Sequence, residues 1–157
     1  MKILVMSDLH GAISNAESAI EKENDAKAVI FLGDGLKSAE ELSYIYNDRR
    51  FYMVAGNCDG LISFEPATRI IEISGKKLLI THGHPFGVKQ SLRMLKERAK
   101  LEGVSLALYG HTHIADIRNE DGIFFVNPGT LSERGSFASY AVIEIDGDKI
   151  YPKIVKL

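Results

Sequence analysis

Three short apolar runs near the N-terminus, separated by two segments of helical periodicity, constrain this chain more than any other feature of its sequence. Residues 2–6, 28–32 and 51–55 read as strands. Between the first two, Ala16, Ala19, Ile20 and Glu23 share one helical face; between the second and third, Ala39, Leu42, Ile45 and Tyr46 do the same. Ser14 with Glu17, and Ser38 with Glu41, read as capping boxes that pair backbone donors left over at a helix start. Strand, helix, strand, helix, strand calls for a parallel sheet with right-handed crossovers, because strands that point the same way cannot be joined by a tight turn.

After residue 60 the grammar changes. Residues 68–73 and 77–80 flank Ser74-Gly75-Lys76, the pattern of a hairpin with a glycine turn. Val88, Leu92, Leu95 and Ala99 mark one amphipathic helix, with Gly103 as its stop. Residues 106–109, 115–118, 123–126, 140–145 and 149–155 read as further strands, the last two joined at Asp146-Gly147-Asp148. Ten or so strands and three helices fit two packed sheets flanked by helices. No repeat, low-complexity tract or linker interrupts the 157 residues, which read as a single domain, 1–157.

Composition excludes several classes of function. A hydrophobic share of 45% and a charged share of 25% are ordinary for a soluble globular protein. No apolar run approaches the roughly 20 residues needed to span a bilayer. Residues 2–6 are too short for a signal-peptide core and lead to no cleavage site, so a cytoplasmic location is the expectation. A net charge of −2 and a pI of 6.2 argue against stable nucleic-acid or membrane binding. The absence of tryptophan argues against a stacking platform for single strands. The lone Cys58 forms neither an internal disulfide nor a cysteine-rich zinc site.

Five polar clusters carry the chemistry, each just after a predicted strand. They are Asp8-Leu9-His10, Gly33-Asp34, Gly56-Asn57-Cys58-Asp59, His82-Gly83-His84 and Gly110-His111-Thr112-His113, and they contain all five histidines. Parallel strands deliver their C-terminal loops to one sheet edge, where ligand sites assemble. Imidazoles and carboxylates without thiolates suit manganese, iron or zinc in an open site. Seven donors (Asp8, His10, Asp34, Asn57, His82, His111 and His113) are too many for one tetrahedral ion and suit two ions that share a carboxylate. Two divalent ions would bring more positive charge than Asp8 and Asp34 remove, and the neutral Asn57 preserves a surplus that attracts phosphate.

The ordered series of these clusters, with Asn127-Pro128-Gly129-Thr130 after them, resembles the metallophosphoesterase (calcineurin-like) superfamily, and most of all its small bacterial and archaeal phosphodiesterases. The resemblance implies a four-layer α/β/β/α sandwich with two mixed β-sheets. It implies one ion on Asp8, His10, Asp34 and His113, and a second on Asp34, Asn57, His82 and His111. Manganese is the metal it favours, with nickel, iron and zinc suited to the same donors. It further implies a small phosphodiester substrate and a homo-oligomer, dimer or tetramer. Where the wider superfamily has Gly-Asn-His, this chain has Gly56-Asn57-Cys58. A thiol is a poor proton donor to a departing alkoxide, so diesters with good leaving groups are the expected substrates. Asn57, Cys58 and His84 are the residues expected to face the substrate, His84 being the one histidine outside the ligand set.

Plainer readings stand beside these. A lone histidine is usually a core or surface residue, but His82, His111 and His113 come with matching carboxylates. Cys58 reads as a small buried filler that shapes the pocket, and Asp59 as a turn cap. Gly33-Asp34-Gly35-Leu36-Lys37-Ser38 is no phosphate loop, since Asp34 would repel the anion. Lys89, Arg93, Lys96 and Lys100 read as a solvated helix face. The stretch from Gly129 to Gly135, with Thr130, Ser132 and Ser136, reads as an ordinary surface loop in preference to a lid. A phosphomonoesterase, or a non-catalytic scaffold like the retromer subunit of this fold, are the rival functions.

Overall fold

The computed structural model describes residues 1–60, 64–132 and 137–157. Strands β1 (Lys2–Met6), β2 (Ala28–Phe31) and β3 (Arg50–Met53) lie parallel, joined by helices α1 (Ile13–Lys22) and α2 (Leu36–Ile45). The sheet is completed by β9 (Ser139–Asp146), antiparallel to β1, and β10 (Lys149–Lys156), in the order β10-β9-β1-β2-β3. The second sheet holds β4 (Thr68–Ile73), β5 (Lys76–Thr81), β6 (Leu106–Tyr109), β7 (Asp116–Glu120) and β8 (Ile123–Asn127) in the order β4-β5-β6-β8-β7. Within it β5, β6 and β8 are parallel, and the outer strands β4 and β7 are antiparallel. Both sheets are therefore mixed.

Alternation along β1 shows how the layers are cemented. Ile3 and Val5 join Leu78, Ile80, Leu106 and Leu108 in a core between the two sheets. Leu4 and Met6 point the other way, against Ala16, Ile20 and Leu42 of α1 and α2. A strand covered on both faces has no polar side to show, which is why β1 and β2 are apolar runs. Helix α3 (Arg93–Glu102) covers the outer face of the second sheet, packing Leu95 and Ala99 on Leu79, Ala107 and Phe125. Each fully buried leucine, isoleucine or valine side chain contributes about 1.5–3 kcal/mol. The result is a helix–sheet–sheet–helix sandwich. Among the described residues no helix is long and apolar enough to cross a membrane.

Local signals succeed where the backbone alone decides the outcome. Ser74 and Gly75 take left-handed conformations in the two-residue β4–β5 turn, and left-handed Gly103 ends α3 with Val104 N donating to Ala99 O. Both capping boxes fail. Helix α1 starts at Ile13 and α2 at Leu36, so Ser14 and Ser38 lie inside their helices and neither start has a side-chain cap of its own chain segment. Helix α3 begins at Arg93, later than the apolar spacing suggests, because residues 84–86 form a 3-10 turn and Val88 precedes the helix. Thr130 and Ser132 are buried, which corrects the surface-loop reading there, while Gly135 and Ser136 lie outside the described residues.

Candidate metal centre

Loops leaving the C-terminal ends of β1, β2, β3, β5 and β6 meet at one edge of the sandwich. Backbone bonds lock the first two together, with Asp8 N donating to Gly33 O at 3.0 Å and Leu9 N to Asp34 O at 2.8 Å. Gly56 permits the third to close in, since a Cβ there would run into Asp34 Oδ1 and the Asp34 backbone nitrogen. Five of the seven non-glycine residues with left-handed backbone among those described are Asp8, His10, Asp34, His111 and His113. Each costs roughly 1 kcal/mol or more relative to ordinary backbone. Strain is thus concentrated where the polar side chains must leave the strand alternation and turn inward.

All seven expected donors come together, in two lobes. In the first, His113 Nε2 lies 3.0 Å and His10 Nε2 3.8 Å from Asp8 Oδ1, and the two imidazole nitrogens face each other at 3.3 Å. In the second, His82 Nε2 lies 3.1 Å from Asn57 Oδ1 and 3.2 Å from His111 Nδ1. Asp34 stands between them, its Oδ2 3.7 Å from His10 Nε2 and 3.5 Å from His82 Nε2. Its other oxygen, Oδ1, is occupied by the Cys58 N–H at 2.8 Å. Exposure differs between the lobes: the His82 side chain is 0% exposed, and His113 is 43% exposed.

Surrounding groups aim the donors. Asp8 Oδ2 accepts from Ser7 Oγ and from the His111 N–H, which leaves Oδ1 facing the site. His82 Nδ1 donates to the Leu32 carbonyl at 2.7 Å, because a carbonyl only accepts, so Nε2 is the edge turned to the site. Buried Asn127 donates to Gly110 O and Thr112 Oγ1, and buried Thr130 donates to Asp8 O, bracing two ligand loops from behind. Asp59 accepts four backbone N–H groups, from Asp34, Gly35, Leu36 and Gly56. It caps α2 from another loop and does more than close its own turn. These supporting roles went unread in the sequence, where only the Asn127-Pro128-Gly129-Thr130 motif hinted at them.

Electrostatics follow from this packing. Burial pushes the Asp34 carboxyl up, but its hydrogen bonds with His82 and the Cys58 N–H outweigh that and hold it well below the usual carboxylate range. Burial likewise lowers His82, and the facing Asp34 and Asp8 carboxylates more than reverse it, leaving it raised. His111 is pushed down to about 4 by burial, helped by the positive His82 and Lys89. His84 is lowered by burial and by His82. A carboxylate that keeps its charge and an imidazole that keeps its lone pair are both what a cation requires.

A direct test of fit is Asp8 Oδ1: it is buried and accepts no aligned hydrogen bond among the described residues, although His113 Nε2 lies 3.0 Å away. Three donor groups, Asp8–His10–His113, Asp8–Asp34–His82 and His10–Asp34–Cys58, each hold their donor atoms within 4.8 Å of one another. Oxygen and imidazole donors around an orphaned carboxylate oxygen fit divalent first-row ions. Cys58 corrects one expectation. It is exposed, at the rim beside Asn57 Nδ2, and its hydrogen bond to Asp34 raises the thiol. His84 sits with its ring centroid 5.4 Å from His82 and 6.1 Å from His111, half-buried, with Nδ1 unpartnered.

Comparison with known proteins identifies the family and the fold. The model of the calcineurin-like phosphoesterase superfamily domain matches residues 1–148. The phosphodiesterase YfcE of Escherichia coli is 30% identical over 93% of this chain and 89% of its own length. A predicted phosphoesterase of Streptococcus pneumoniae superposes with a TM-score of 0.84 at 30% identity, over 99% of this chain and 88% of that one. Wild-type Vps29 of Entamoeba histolytica, solved in complex with zinc, superposes with a TM-score of 0.75 at 23% identity over 99% of both chains, a likeness of fold.

Proposed function

The chain belongs to the calcineurin-like phosphoesterase superfamily, and from that premise we propose that it is a metal-dependent phosphodiesterase that holds two divalent ions and hydrolyses small phosphodiesters. The observation that carries the reading is the position of Asp34 Oδ2 between His10 and His82, as a shared carboxylate would stand. Asp8, His10 and His113 would complete one ion's set, and Asn57, His82 and His111 the other. Bound there, the two ions would polarise the phosphoryl group and supply a hydroxide nucleophile near neutral pH. Manganese is the metal proposed, and the cytoplasm the compartment.

The choice of substrate falls to side chains outside the donor set. His84, half-buried beside His82 and His111, would contact the substrate as a neutral hydrogen-bonding ring, since its pKa is lowered. Cys58, with its raised thiol, brings no cation to the rim, and protonation of a poor leaving group there would be weak. Diesters with good leaving groups are therefore favoured over alkyl monoesters.

The exposed thiol in place of an imidazole supports this reading over a phosphomonoesterase. A Vps29-like scaffold is the second reading, favoured by the shared fold. Metal analysis joined to a hydrolysis screen of monoesters and diesters, on wild type and Asp34→Ala, separates all three. Two ions per chain and diester turnover, both lost in the variant, are expected. Preference for monoesters, survival of activity in the variant, or no turnover of any phosphoester would each remove the proposal.

A further inference from the structure

Beside the candidate metal centre, between the segment leading into α3 and the β6–β7 connection, lies a cavity of about 400 Å³. Thr112, which lies between His111 and His113 in the chain, lines it. Val88, Leu92, Ile114 and Ala115 make much of its wall apolar. Ligand pockets run from about 300 to 1,000 Å³, so this one takes a single ring-bearing group and no oligomer.

The charges in the cavity are unequal. Tyr109 and Arg118 both donate to Asp116, at 3.2 and 2.6 Å, so that wall satisfies itself. Arg93, Lys96 and Lys100 are paired with Glu97, Glu120 and Asp121. Lys89 also lines the cavity, and among the described residues no hydrogen bond or ion pair engages it. It shares that lining with Thr112, the residue between His111 and His113. An unpaired cation lining a partly apolar cavity complements an anion with a flat apolar substituent.

We propose that this cavity is the subsite for one ester arm of the phosphodiester, that the arm is aromatic or heteroaromatic and of nucleoside size or smaller, and that Lys89 attracts the phosphate anion at its mouth. The inference rests on the phosphodiesterase reading and deepens it to a substrate class. Apolar side chains remove the ring from water, and the cation holds the negative oxygen, so neither feature alone suffices for tight binding.

Product analogues test it without turnover. Zinc-loaded protein is titrated with phenyl phosphate and with methyl phosphate, following the methyl resonances of Val88, Leu92, Ile114 and Ala115. Phenyl phosphate should bind at least fivefold more tightly and shift those resonances. Ala115→Phe should abolish the difference, and Lys89→Gln, a surface change that leaves folding intact, should weaken both ligands about fivefold. Equal affinities with unmoved resonances, no binding of either ligand, or indifference to both substitutions would overturn the subsite; resonances that respond only to peptides or to protein concentration would mark a docking surface instead. If phenyl phosphate fills the cavity while no diester is hydrolysed, the subsite stands and the phosphodiesterase reading falls. Diester turnover with no distinction between the two arms is the reverse.

Discussion

The Asp59 carboxylate accepts the backbone N–H of Asp34 at 2.8 Å, although the two residues are 25 positions apart. The same carboxylate takes the N–H groups of Gly35 and Leu36 at 2.7 and 2.8 Å and that of Gly56 at 2.7 Å. One side chain thus caps α2 and ties the β2 and β3 loops into a unit, at the residue that stands between the two donor lobes. A negative group at a helix start also meets the positive end of its dipole.

Replacing Asp59 by alanine should destabilise the metal-free protein by about 2 kcal/mol or more, since it removes a cap and leaves several part-buried donors without an acceptor. Asp59→Asn keeps one carbonyl oxygen and should recover part of the loss. Urea denaturation of the three proteins measures this. A midpoint in Asp59→Ala equal to wild type would mean that water serves those donors as well.

Metal affinity should rise with pH through the neutral range. His82 is raised, so at about pH 6 it holds a proton that a cation must displace, whereas His111, at about 4, is already neutral. Calorimetry in buffers of different ionisation heat, at about pH 6 and about pH 9, should find close to one proton released by His82 at the lower value and fewer at the higher. In the metal-free fold His82 contributes stability that is full below its unfolded value of roughly 6.5 and is lost as pH climbs through the raised one. Asp34 has the opposite sign: its contribution is present above roughly 3.9 and disappears as pH falls towards its depressed value. A proton count that ignores pH would remove His82 from this role.

Gly56→Ala tests close approach without replacing a donor residue. The added methyl would overlap Asp34 Oδ1 and the Asp34 backbone nitrogen, so the β2 and β3 loops must separate. Metal affinity should fall by about 10- to 100-fold, the range for changes that misaim a ligand. Titration with a chromogenic chelator measures it, and an affinity within twofold of wild type would show that the loops give way freely.

Cys58→His should widen the substrate range. An imidazole at the rim supplies the proton donor and the positive charge that the raised thiol lacks. The rate on an alkyl monoester such as glycerol phosphate, relative to bis(p-nitrophenyl) phosphate, should increase by at least about tenfold, a modest fraction of what general acids contribute. An unchanged ratio would place the cause of diester preference elsewhere.

The convergence of these side chains was legible because each follows a strand whose apolar run is itself legible. Val5 and Ile30 pack in the core between the sheets, so the polar residues just after their strands stand out against the pattern. Asp59 was harder: its partners are backbone N–H groups, which every residue but proline carries and no sequence displays. The failed capping boxes have the same origin. Ser38 offered a local cap, and a carboxylate from another loop took the helix start, where tertiary contact outweighed propensity. Val88 and Leu92 kept the helical spacing and line the cavity beside the site. Cys58 has the chemistry of a buried residue and the position of an exposed one, which composition cannot distinguish.

Left-handed backbone at five of the seven expected donors makes this candidate centre hard to transplant. A designer who copied the side chains onto regular strands of another scaffold would carry over the elements and lose their aim, because alternate residues of a strand point away from a common focus. What would have to be grafted is the set of loop conformations, together with the glycines and the Asp59 clamp that hold them. By the same logic, a natural chain can exchange most of its surface while these few main-chain angles stay unchanged.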